Sequence, residues 1–133
     1  MITRQEILDY ISELDSATFD KPFTDDFDTT VLRHSDTKKW FGAIIKAPKC
    51  KLGLSGDGVT DILNLKCDPI LSQGLKEAYR GIIPAWHMNK YHWISVVLDS
   101  DVDMTTLIGL INLSFSLTLG KVVKRNHSRL TNK

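Results

Sequence analysis

The chain predicts a single α+β domain, an antiparallel sheet with helices packed on one face, and three observations carry that expectation. Helical and strand-like runs follow one another in the order helix, strands, helix, strand, helix. The first two strand-like runs are neighbours separated by a short turn, which favours antiparallel pairing. At 133 residues, with 42% hydrophobic and 25% charged side chains, the chain has the size and composition to bury one core. Residues 1–120 are assigned to that domain and residues 121–133 to a basic tail.

Thr3 followed by Glu6 forms a capping-box start, and Ile7, Leu8, Ile11 and Leu14 recur at helical spacing, so a first helix is expected to about Ser16. Phe19 to Asp28 holds a proline and four acids among scattered aromatics, which suits an irregular connection pinned to the core by Phe19, Phe23 and Phe27. Thr29 to His34 and Lys38 to Lys46 are β-branched and aromatic runs around the turn Ser35-Asp36-Thr37. Lys51 to Gly58 reads as a second turn and Val59 to Cys67 as a third strand. Asp68 caps a helix with Pro69 at its first position, and Leu71, Leu75 and Tyr79 continue one face until Arg80 and Gly81 stop it. Tyr91 to Leu98 is the fourth strand. Asp101 or Asp103 caps a last helix from Met104 to about Gly120. That helix carries two apolar stripes, one through Leu107, Ile108, Ile111 and Phe115, the other through Leu110, Leu113 and Leu117. The second stripe packs under a loop of the same domain or forms a homodimer contact, so a monomer or a weak homodimer is expected.

The formal charge is only +1, but it is unevenly spread. Lys121, Lys124, Arg125, Arg129 and Lys133 place five cations and no acid in the last 13 residues, which leaves 12 basic against 16 acidic side chains in the body. Any phosphate binding is therefore local. Between Arg33 and Lys51 six cations, Arg33, Lys38, Lys39, Lys46, Lys49 and Lys51, face a single acid, Asp36, whereas the first 28 residues hold eight acids and two bases. Cys50 and Cys67 are the two cysteines, and the N-terminus lacks a basic region before an apolar run, so free thiols and a cytoplasmic location are expected. No apolar stretch reaches the roughly 18 residues of a membrane span, so no membrane association is expected.

The segment from Tyr79 to Asp99 is the densest in chemistry-bearing side chains, with Trp86, His87, Met88, Asn89, Lys90, Tyr91, His92 and Trp93 crowding a turn before a strand. It holds no nucleophile with its base, no phosphate loop and no metal quartet, so no enzymatic activity is expected and no cofactor. The cysteines and histidines lack Cys-x-x-Cys or His-x-x-x-His spacing, which argues against zinc. Glu6, Asp9 and Glu13 share a helix face but read as a solvated surface rather than an iron site. Gly53 to Gly58 has no following Lys-Ser/Thr and reads as a turn, and Cys67 reads as a small core residue.

Three blocks, Ile62-Leu-Asn-Leu-Lys-Cys-Asp-Pro69, Pro84-Ala-Trp-His-Met-Asn-Lys-Tyr-His-Trp93 and Leu110-Ile-Asn-Leu-Ser-Phe-Ser-Leu117, together resemble the MmcQ/YjbR family of small bacterial proteins in sequence, order and spacing. The match spans nearly the whole chain, including the early helix and the Trp40-Phe41 strand. The resemblance implies an α+β fold similar to the frataxin-like CyaY proteins, and a DNA-binding role built on a double-wing arrangement of β-hairpins, with no enzymatic activity. The ending departs from the pattern: many members have Leu-Pro-Lys-Lys where this chain has Lys121-Val-Val-Lys-Arg-Asn126.

Arg33, Lys38, Lys39, Lys46, Lys49 and Lys51 on the basic hairpin are therefore the candidate DNA-backbone contacts, since a two-stranded ribbon can enter a groove while its cations neutralise phosphates. His87, Asn89 and Lys90 are candidates near the groove. For each group a structural role stands beside the functional one: hairpin lysines also protect sheet edges, the Asn-Lys turn also fixes a corner, and the tail also solubilises. The alternative function is a protein- or small-ligand-binding module that uses the Trp86 to Trp93 surface without nucleic acid.

Overall fold

A computed structural model describes residues 1–119. Helix α1 spans Arg4–Glu13 and begins as the capping box requires: the Thr3 hydroxyl accepts from the Glu6 amide at 3.2 Å and the Glu6 carboxylate accepts from the Thr3 amide at 3.2 Å. It ends before the expected Ser16, because Ser16 takes a left-handed φ of 66° and reverses the chain into strand β1, Ala17–Asp20.

Strand β1 overturns the reading of this region as an irregular connection anchored in the core. It pairs antiparallel with β2, Thr30–His34, from Ala17 opposite His34 to Asp20 opposite Val31. Phe19 and Phe23 are each 38% exposed and Phe27 is 73% exposed, so none of the three pins the interior. A four-residue edge strand is too short for alternation to reveal.

Strand β3, Trp40–Pro48, pairs with β2 on one side and with β4, Val59–Lys66, on the other. Gly42 sits where a Cβ would lie 3.0 Å from Leu32 Cδ1 and 3.2 Å from Leu65 Cδ2, so the neighbouring leucines occupy the space above it. A 3₁₀ turn, Lys49–Leu52, follows β3. Helix α2, Pro69–Ala78, is capped by Asp68, whose Oδ1 accepts from Ile70 and Leu71 amides. It stops at Tyr79, not at Gly81, because the chain straightens into β5, Ile82–Pro84, a strand that the sequence pattern concealed. Strand β6, Trp93–Val97, lies between β4 and β5. Helix α3, Met104–Leu117, starts on Asp103, whose carboxylate accepts from Thr106 at 2.8 Å.

The sheet is fully antiparallel with strand order β1-β2-β3-β4-β6-β5, six strands where four were expected. Its helix-bearing face holds the main core, where Ile7 and Ile11 of α1 and Leu107 and Ile111 of α3 meet Leu32, Phe41, Ile44 and Leu63. Leu110 is also buried, and Leu113 and Leu117 of the second stripe are half-buried within the domain. Ser114 ties α3 to the sheet: its hydroxyl donates to the Phe41 carbonyl at 2.5 Å and accepts from the Lys66 amide at 2.9 Å. On the other face Leu52 of the 3₁₀ turn, Leu54 and Trp86 of the loops and Ile83 of β5 pack against Ala47, Ile62 and Val97.

Candidate nucleic-acid interface and aromatic cleft

The six hairpin cations do not form one patch. Nine residues of β3, at about 3.3 Å rise each, place its two ends roughly 26 Å apart. Arg33, Lys38 and Lys39 lie at the end that carries the β2–β3 turn, whereas Lys46, Lys49 and Lys51 lie towards the opposite end. Arg33 is held internally: its Nε donates to Asp20 Oδ1 at 2.7 Å, Nη1 donates to the Lys38 carbonyl at 3.1 Å, and the guanidinium sits 5.6 Å from the Trp40 ring centre. Lys38 has a φ of 65° and bends its ammonium onto the Ser35 carbonyl at 2.7 Å, and Lys39 beside it is exposed. Lys46 lies 3.8 Å from Asp28, Lys49 is half-buried, and Lys51 is exposed.

The turn between β5 and β6 owes its shape to the residues singled out as binding candidates. Asn89 Oδ1 accepts from the amides of Tyr91 and His92 at 2.8 and 3.1 Å, and its carbonyl accepts from Trp93 at 3.0 Å. This is an Asx turn, the local alternative that asparagine offers an irregular backbone. Lys90 donates across the turn to the Ala85 carbonyl at 2.9 Å. His87 is exposed with a φ of 63°, His92 is exposed, and Trp93 is half-buried.

Beneath the turn lies a polar pair that the sequence reading passed over. Asn64 and Ser95 are fully buried on neighbouring strands, opposite one another, and joined by a hydrogen bond from the Ser95 hydroxyl to Asn64 Oδ1. Asn64 Nδ2 donates to the Trp86 carbonyl at 2.9 Å, and the Trp86 amide donates to Ser95 Oγ at 2.9 Å. The pair thus supplies partners for both the carbonyl and the amide of Trp86 and anchors its backbone. The signal was available as a polar residue inside each of two apolar strands, Ile62-Leu-Asn-Leu and Trp93-Ile-Ser-Val.

With Trp86 so placed, the helix-free face carries a cleft of about 300 Å³. Phe23, Trp40 and Trp86 give it aromatic walls, Ala43 and Ile45 an apolar floor, and Lys46 a cation at the lining. Phe23 meets Trp40 edge to face, with ring centres 6.2 Å apart and planes at 71°. Asp26 and Thr29 also line the cleft. The Thr29 hydroxyl, then the backbone amides of Asp28 and Thr29, hold the Asp26 carboxyl below its ordinary pKa, so it stays ionised at neutral pH. Sequence spacing could not assemble this site, because Phe23, Trp40 and Trp86 come from three separate segments.

Among the described residues no three His, Cys, Asp or Glu side chains stand close enough to hold a metal ion. Glu6 of the acidic helix face is engaged by its cap, and Asp9 accepts from Gln5 at 2.7 Å. Cys50 is exposed and Cys67 buried, and burial, helped by Asp68, pushes the Cys67 thiol above its ordinary pKa. No helix of the described residues is long and apolar enough to cross a membrane. The five cations of the tail lie outside the described residues.

Known proteins place this fold and sequence among close counterparts. The chain is 41% identical over 118 residues to the uncharacterized protein YyaQ of Bacillus subtilis (strain 168), covering 89% of this chain and 99% of that one. It is 40% identical over 68 residues to the uncharacterized protein YbdF of Escherichia coli O157:H7, covering 51% of this chain and 56% of that one. A crystal structure of a Pseudomonas syringae protein superposes with a TM-score of 0.83 at 37% identity, covering 89% of this chain and all of the other. A Deinococcus radiodurans protein with a DUF419 domain shares the fold at a TM-score of 0.71 and 24% identity, covering 95% of this chain and 88% of that one. The model of the family described as YjbR matches residues 12–117, so this chain belongs to the YjbR family.

Proposed function

We propose that this chain is a non-enzymatic DNA-binding protein of the YjbR type, which meets the phosphate backbone through the tip of its β2–β3 hairpin. One observation carries the reading: Lys38 and Lys39 sit side by side and exposed at that tip, which the adjoining Arg33–Trp40 pair stiffens. Exposed ammonium groups at the turn joining two inner strands of the sheet suit contacts to a phosphate backbone, and each neutralised phosphate releases counterions. Lys51 at the far end of β3 and the exposed His87 are further contacts in this reading, whereas Asn89 and Lys90 act by holding their turn. The reading assigns no catalysis, cofactor or metal.

The test is fluorescence anisotropy with a labelled duplex across salt concentrations, comparing the chain with its Lys38→Glu/Lys39→Glu variant. The expected result is weaker binding and a log–log salt slope shallower by about 2 in the variant. Unchanged affinity and slope would remove the hairpin tip from the interface.

A second reading, a ligand-binding module without nucleic acid, is favoured by the aromatic cleft beside Trp86. A tryptophan fluorescence change with a candidate ligand, persisting at high salt in a protein that ignores DNA, would select it.

A further inference from the structure

The hairpin tip and the aromatic cleft meet at one residue. Trp40 follows Lys39 directly, packs under the Arg33 guanidinium and forms a wall of the cleft, so a strand of nucleic acid lying on Lys38 and Lys39 has the cleft within reach of its next base. We infer that the cleft takes one unpaired base of a single strand, stacked on the Phe23, Trp40 and Trp86 rings, so that the ligand is single-stranded in preference to duplex. This rests on the nucleic-acid reading above and adds to it the class of nucleic acid.

The physical case has three parts. Aromatic walls bind bases because every base has a π face, and that face is free only where the base is unpaired and unstacked. The floor of Ala43 and Ile45 offers the ring no polar competitor, and Lys46 at the lining presents a donor to an acceptor edge. The acids of the neighbouring loop set the direction of the backbone. Asp20 is neutralised by Arg33, but Asp26 lines the cleft as a carboxylate whose partner, the Thr29 hydroxyl, carries no charge, so that side of the cleft repels phosphates. The strand therefore leaves past Lys38 and Lys39. The backbone of Trp86 is held before the ligand arrives, since Asn64 and Ser95 bond its carbonyl and its amide.

The experiment is anisotropy of the full chain with a labelled 12-nucleotide single strand, the same strand carrying abasic sites, and its duplex, at matched salt. It is repeated with Phe23→Ala, a change on an exposed loop that leaves the core intact, and with Lys39→Glu. The single strand should bind at least about fivefold tighter than the duplex. Phe23→Ala and the abasic strand should each lose about 5- to 100-fold while keeping the salt slope, because a stacking contact releases no counterions. Lys39→Glu should instead make the slope shallower. Equal binding of strand and duplex, indifferent to Phe23→Ala and to base removal, would overturn the inference and leave the hairpin reading standing. Absence of binding to any of the three would overturn both.

Discussion

Arg33 and Trp40 are cross-strand partners in the β2–β3 hairpin, and the guanidinium of the first lies 5.6 Å from the ring centre of the second while its Nε is fixed by Asp20 at 2.7 Å. The β-bulge between Leu32 and Arg33 puts this pair in register just before the turn. A cation that looked free in the sequence is thereby a brace between β1, β2 and β3.

Arg33→Ala is expected to cost about 1 kcal/mol of stability, the sum of a partly exposed cation–π contact and a partly exposed ion pair. Urea unfolding monitored by circular dichroism measures it. A cost below about 0.3 kcal/mol would show that the brace contributes nothing.

Ser95→Ala leaves Asn64 and the Trp86 amide without their shared partner in a fully buried site, so it should destabilise by about 2 kcal/mol. The Trp86 indole should also lose its fixed position, read as a red shift and lower steady-state anisotropy of tryptophan emission in a variant that still folds. Unaltered stability would mean that water replaces the hydroxyl at no loss.

His34 is buried beneath α3, with Nε2 2.7 Å from the Thr118 hydroxyl and its ring 4.2 Å from that of Phe115. Thr118 already donates to the Ser114 carbonyl at 2.8 Å, so Nε2 donates to the Thr118 hydroxyl. Desolvation lowers the pKa from its ordinary 6.5, with Asp36 opposing and Lys39 adding to the effect. The unfolded chain therefore binds this proton more readily than the folded one. Stability is fully present above pH 6.5 and falls as pH drops below it, by up to about 1.4 kcal/mol per pH unit until the folded histidine itself titrates. His34→Gln should flatten the stability profile between pH 6.5 and 5. An identical slope in the variant would place the loss elsewhere.

Gly81 approaches the loop before α3 so closely that a Cβ would lie 2.0 Å from Ser100 Oγ and 2.4 Å from Ser100 Cβ. Its amide also donates to Asp101 at 2.8 Å and its carbonyl accepts from Val97 at 2.7 Å, so the backbone has no room to retreat. Gly81→Ala should cost about 1–3 kcal/mol, whereas Gly74→Ala, exposed inside α2 with open space above it, should stabilise by about 0.5–1 kcal/mol. Thermal melts of the two variants make the comparison, and equal Tm values would contradict it.

Much of the architecture was legible because it is locally encoded. The capping box at Thr3 and Glu6, the Asp68-Pro69 start of α2 and the Asp103 cap of α3 are satisfied within three residues, so sequence neighbours suffice to announce them. The β2–β3 pairing followed from two β-branched and aromatic runs separated by a short turn. Strands β1 and β5, of four and three residues, were hidden because an edge strand gains its identity from a partner distant in sequence.

The sequence by itself determined the family, the α+β class, the helix starts and the local surplus of cations around the hairpin, since each rests on composition or on spacings of a few residues. Only the tertiary structure decided which of those residues are available to a ligand. It spent Arg33, Asn89 and Lys90 on braces, parted Lys39 from Lys51 by the length of β3, and drew Phe23, Trp40 and Trp86 around one cleft. Availability depends on which partners a side chain meets across the sheet, and strand register and loop return set those partners over separations that no local pattern records.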